Sequence, residues 1–136
     1  MPYITASDYL LHIQDMQIQQ VINSNEAIRD AANLLAIAEA RSYLIQKYNI
    51  DAELAKTGTD RDAQMLSTII DISIYHLHTR IAPRNIPELR QVKYDNAIAW
   101  LKMCAYGEIT PALTKIDPTQ GMRTRFGGNT KNINQY

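Results

Sequence analysis

The chain has 136 residues, 46% hydrophobic and 21% charged, the size and mixture of one globular domain with its own core. Fourteen basic residues offset fourteen acidic ones, so wholesale electrostatic attraction to nucleic acid or an anionic membrane is not expected. The most apolar run, residues 31–38, carries Asn33 and is far shorter than the ~20 residues of a membrane span. With no visible signal peptide and a lone cysteine, Cys104, the sequence reads as a soluble protein made in a reducing cytoplasm.

Residues 2–4 are apolar and extended in pattern. Thr5 and Ser7 can each cap a helix, and Asp8 then sits in a first turn where negative charge is favoured. The spacing predicts a first helix over 7–22, with Leu10, Ile13 or Gln14, Gln17 and Val21 on one stripe and Leu11, Ile18 and Ile22 beside it. Residues 23–25 form a turn, and Ser24 or Asn25 caps a second helix over 25–48. Ala27, Ala31, Leu34, Ala38, Ile45 and Tyr48 keep a three-four spacing there, broadened by Leu35 and Ile37. This stripe is assigned to the core, its alanines allowing close approach of another helix.

Residues 49–59 are read as a loop. A third helix is expected over 61–82, with Leu66, Ile70, Ile74, Leu77 and Ile81 in step and Met65, Ile69 and Ile72 widening the stripe. Ile70, Ile72 and Ile74 also alternate with Asp71 and Ser73, a strand pattern, but the helical stripe extends on both sides. A fourth helix, 87–106, opens at Pro87 and closes at Gly107. Leu89, Val92, Tyr94, Ala97, Ile98, Trp100, Leu101, Cys104 and Ala105 face inward in this reading, and Gln91, Asp95 and Lys102 outward. Trp100 and Leu101 are expected in or beside the core with Leu77 and Ala38, and Cys104 as a buried structural thiol.

Past Gly107 the composition becomes polar and rich in Gly, Thr and Asn. Four basic residues against Asp117 make 110–136 net +3, leaving −3 for the body. Such a segment cannot bury enough apolar surface to order itself. The expected architecture is therefore all-α: a compact four-helix domain, 1–109, and an extended C-terminal arm, 110–136. Ile116, Met122, Phe126 and Ile133 are apolar anchors too widely spaced for one amphipathic helix. Arg123, Arg125, Phe126 and Ile133 are the candidate inter-subunit contacts of the arm.

No catalytic residue, metal ligand or cofactor site is assigned. His76 and His78, two apart on a helix, point about 200° from each other and cannot readily chelate one ion. The reading is a packed His76 and a solvated His78. Glu39 is followed three residues on by Ser42 and Glu26 by Arg29, so the Glu-x-x-His pairs of di-iron bundles are missing. G-x-S-x-G, P-loop, G-x-G-x-x-G and C-x-x-C motifs do not occur. Arg80, Arg84, Arg90 and Lys93 gather at the third turn. They read either as a solvated helix end or as a contact for DNA phosphates or a neighbouring subunit's carboxylates.

Several segments resemble a known family. They are Tyr3-Ile4-Thr5 with Asp8-Tyr9-Leu10, an Ala-rich helix ending in Tyr43-Leu44 and Lys47-Tyr48, and Asp71-Ile72-Ser73-Ile74-Tyr75-His76-Leu77. The most specific is Tyr94-Asp95-Asn96-Ala97-Ile98-Ala99-Trp100-Leu101, closed by Gly107-Glu108-Ile109. Across residues 3–113 the chain resembles the small structural proteins of Mu-like tailed phages and prophages, which in turn resemble all-helical head–tail connector, or head-completion, proteins. The resemblance implies a non-enzymatic virion protein made in the cytoplasm of a bacterial host. It implies a ring, twelve-fold in that family, between the portal and the tail or a second connector, around the DNA channel. Contact with packaged DNA would be non-specific, and no membrane or cofactor is implied. The alternative from the residues is a small helical nucleic-acid-binding regulator, which would need a basic recognition helix.

Overall fold

The computed structural model describes residues 2–81 and 84–116. It is all-α: helices α1 Asp15–Ile22, α2 Glu26–Leu44, α3 Ile50–Leu54, α4 Ala63–Ile81 and α5 Glu88–Tyr106, with 3-10 turns at Ala6–Leu11 and Gly58–Asp60. No strand occurs among the described residues; the nearest thing is one antiparallel bridge between Tyr48 and Lys115.

The centre is α4. Met65, Ile69, Ile70, Ile72, Ile74 and Leu77 are buried, with Thr68 and Ser73 between them. A helix apolar on nearly all sides is one enclosed by others, and α4 packs on α1, α2 and α5. That enclosure explains the isoleucine alternation at 70, 72 and 74: residues 69–75 are helical, and both faces of the apparent strand are core. Asp62 starts the helix by accepting from Met65 N at 2.9 Å.

The first helix is shorter than its stripe suggests. Residues 6–11 form a 3-10 turn started by Thr5, whose N–H bonds to the Asp8 carboxylate at 2.6 Å. Gln14 is extended, and α1 begins only at Asp15. In one continuous helix the His12 carbonyl would accept from Met16; here it accepts from Arg90 Nη2 at 2.9 Å. The His12 ring bonds Asp71 on α4 at 2.9 Å. Tertiary partners thus hold the break. Ile13, Ile18 and Ile22 turn inward, while Leu10, Leu11 and Gln17 stay exposed.

In α2 the inward face is the opposite of the expected one. Arg29, Ala32, Asn33, Ala36, Ala40 and Leu44 are buried, whereas Ala27, Ala31, Leu34, Leu35, Ala38 and Ile45 are exposed. Tyr48 is buried as expected. The alanines do allow close helix packing, but through Ala32, Ala36 and Ala40 against α4 and α5. In α5, Ala97, Leu101 and Cys104 are buried and Trp100 is half-buried, but Leu89 and Val92 at its start are exposed. Gly107 ends α5 at φ 85°, the left-handed C′ position, and Glu108 N bonds Met103 O at 2.9 Å.

The loop 49–59 contains α3, capped by Asn49, whose side chain accepts from Ala52 N at 3.2 Å. Residues beyond 109 continue to pack on the body. Pro111 and Leu113 are buried, Asn49 N bonds Thr114 O at 2.7 Å, and Ile116 N bonds Lys47 O at 3.1 Å. The chain therefore stays fastened to the C-terminal end of α2 as far as Ile116, past the expected start of the arm at 110.

Candidate functional site

Four polar clusters tie the helices together. The deepest joins the first turn to α2 and α4: Tyr9 OH donates to Asn33 Oδ1, Ser73 Oγ donates to the same oxygen at 2.9 Å, and the two hydroxyls lie 2.7 Å apart. Burial pushes the Tyr9 phenol up to about 12. In the second, Arg61 forks onto Asp8 at 2.6 and 3.0 Å and also donates to Tyr3 O at 2.6 Å. Burial opposes ionisation of Asp8, but Arg61 and the Thr5 donors outweigh it and hold the carboxyl below its usual range.

The third centres on Glu53, whose Oε2 accepts from Tyr3 OH at 2.8 Å and from Asp62 N at 2.7 Å. Lys56 Nζ stands 3.0 Å from its other oxygen, an ion pair without hydrogen-bond alignment. Burial, then the neighbouring Glu53 carboxylate, raises the Tyr3 phenol. The fourth joins α2, α4 and α5: Glu39 accepts from Tyr94 OH at 2.8 Å and meets His76 Nε2 at 2.9 Å, while the Tyr75 and Tyr94 rings stack 4.0 Å apart. Burial and Glu39 raise the Tyr94 phenol.

These bonds tie the first turn, α2, α3, α4 and α5 to one another. Among the described residues there is no group of three or more His, Cys, Asp or Glu side chains placed to hold a metal. Cys104 is buried, and burial pushes its thiol up to about 11, away from the reactive thiolate.

The two histidines of the 76–78 pair point to different surroundings. His76 is half-buried on Glu39. His78, expected in solvent, is half-buried too and lines a cleft of about 400 Å³ with Gln17, Val21, Leu89 and Arg90. Burial, then the Arg90 cation, depresses its imidazole below the usual value and so favours the neutral form. His78 Nε2 and Arg90 Nη1 are enclosed with no hydrogen-bond partner among the described residues.

The basic turn does not form one exposed set. Arg80 and Arg84 are exposed, Lys93 is half-buried, and Arg90 is directed inward to the His12 carbonyl. Arg123, Arg125, Phe126 and Ile133 lie outside the described residues. Sequence reasoning missed the Tyr9–Asn33–Ser73 and Glu39–His76–Tyr94 clusters. The available sign was Asn33 itself, a polar residue inside the most apolar run, which marks a buried hydrogen-bonding position.

The surface carries large apolar side chains in number. Leu10, Leu11, Met16, Leu34, Leu35, Ile81, Leu89 and Val92 are all exposed, Leu11 at 89% and Leu34 at 69%. Among the described residues no helix is long and apolar enough to cross a membrane. The fold is thus an all-helical block, internally latched and apolar in places on its outside. The sequence matches the family described as Bacteriophage Mu, Gp36 over residues 3–126, and the chain belongs to that family. No curated protein sequence matches it.

Proposed function

We propose that the protein is a virion structural component, a subunit of the head–tail connector ring that joins the portal to the tail around the DNA channel. It acts without catalysis, and its partners are further copies of itself, the portal and a tail or second connector protein. Membership of a phage family supports this reading. The observation that carries it is the number of large apolar side chains exposed on a helical body whose buried polar clusters bond across its own helices. Surface of that kind is what recurrent protein–protein contacts use. The chain beyond Ile116 leaves from the C-terminal end of α2 and serves as the arm that grips a neighbour, with Arg123 and Arg125 meeting carboxylates there. In a phage encoding this protein, its removal leaves DNA-filled heads and separate tails, visible by electron microscopy, and the full-length protein supplied in trans restores joining. Deleting residues 117–136 leaves a folded helical block that no longer restores it. Infectious virions assembled without the protein overturn the reading.

A further inference from the structure

The outer face of α2 has a pattern that its own fold does not use. Ala27, Ala31, Leu34, Ala38, Arg41 and Ile45 follow steps of four and three, the spacing of a coiled-coil seam. All but Arg41 are exposed, and the Arg41 side chain is still 43% exposed. The seam runs for about 27 Å along the helix. The inward face of the same helix is already satisfied by α4 and α5.

We infer that this seam is a self-association surface on which α2 of a second copy packs antiparallel about a two-fold axis near position 36. Two features select that partner and that direction. The first is size. In the antiparallel register Ala27 faces Ile45 of the second copy, Ala31 faces Arg41, and Leu34 faces Ala38, and the symmetry repeats each pair. Every layer then sets an alanine against a larger side chain, which lets the helices approach closely without a void. A parallel pairing in register would instead stack Ala on Ala, Leu on Leu and Arg on Arg.

The second is charge. Asp30 and Arg41 lie on the same edge of the seam, within about 60° of its centre line at 100° per residue. An antiparallel two-fold brings like edges together, so Asp30 of each copy meets Arg41 of the other. Asp30 is open to a further partner: its side chain is 69% exposed, and its ion pair with Arg29 Nη2 is a long one at 4.0 Å. Arg41 gives Nε and one Nη2 hydrogen to Asp51 of its own chain, leaving Nη1 for a second carboxylate.

A single helix pair of this length buries less than the ~800 Å² per partner of a standard interface, so the dimer is weak, with a dissociation constant on the order of micromolar or above. A two-fold contact closes at two copies and cannot propagate a ring, so this proposal and the connector reading stand or fall separately.

The test is sedimentation equilibrium on the full-length chain from about 1 μM to about 1 mM. The expected result is a reversible monomer–dimer equilibrium. Leu34→Asp raises the dissociation constant about tenfold or more with an unchanged helical circular dichroism spectrum, because Leu34 is outside the core. Asp30→Arg and Arg41→Asp each weaken the dimer, and the double variant restores it. Oxidised Leu34→Cys/Ala38→Cys protein gives a covalent dimer. A monomer throughout, or a dimer indifferent to Leu34→Asp and to the charge exchange, overturns the proposal. So does a full-length chain that stays monomeric while one ending at Ile116 dimerises, since residues 117–136 would then occupy the seam.

Discussion

Asn33→Ala tests the deepest of the latches. Tyr9, Asn33 and Ser73 are all buried, and Asn33 Oδ1 is the common acceptor for both hydroxyls. Once the amide is gone, Tyr9 and Ser73 can still keep one hydrogen bond between them, since their oxygens lie 2.7 Å apart. One buried O–H donor is then left without a partner, which costs about 1–3 kcal/mol. The space vacated by the amide adds a cavity term, so the expected loss is roughly 2–4 kcal/mol. Tyr9→Phe and Ser73→Ala each leave Asn33 one donor and should cost less, about 0.5–1.5 kcal/mol. Urea unfolding of the parent, the three single variants and the Tyr9→Phe/Ser73→Ala double variant gives the energies and the coupling between the hydroxyls. If Asn33→Ala unfolds within about 0.5 kcal/mol of the parent, the cluster does not hold the first turn to α2 and α4, and the accounting is wrong.

Leu101→Ala empties a fully buried position and should cost about 2–5 kcal/mol, whereas Trp100, half-buried beside Asp71 and Lys93, should cost about 1–3 kcal/mol on truncation to Ala. Thermal unfolding that ranks Trp100 above Leu101 would place the tryptophan in the core. For His78 the folded-state imidazole is depressed below 6.5, so the unfolded chain binds the extra proton first and stability falls as pH drops below about 6.5, levelling once the folded form also protonates. His78→Gln should therefore lose less stability than the parent between pH 8 and pH 5, and identical pH profiles would refute the assignment.

Helix positions were legible because their signs are local. A three-four stripe needs only its own residues, and Thr5, Asn25 and Gly107 act on neighbours within a turn. The Mu-like resemblance was legible for the same reason, as short strings of side chains. The break at residues 12–14 was not, because it is held by Asp71 and Arg90, which the fold brings from 59 and 78 residues away. Nor was the buried face of α2. That helix carries two stripes of equal period on opposite sides, Ala27 to Ile45 and Ala32 to Leu44, and the first is the richer in large apolar side chains. Periodicity fixes that a face exists but not which one is chosen. The tertiary structure chose the side bearing Asn33, because only there do Tyr9 and Ser73 supply the hydrogen bonds that a buried amide requires.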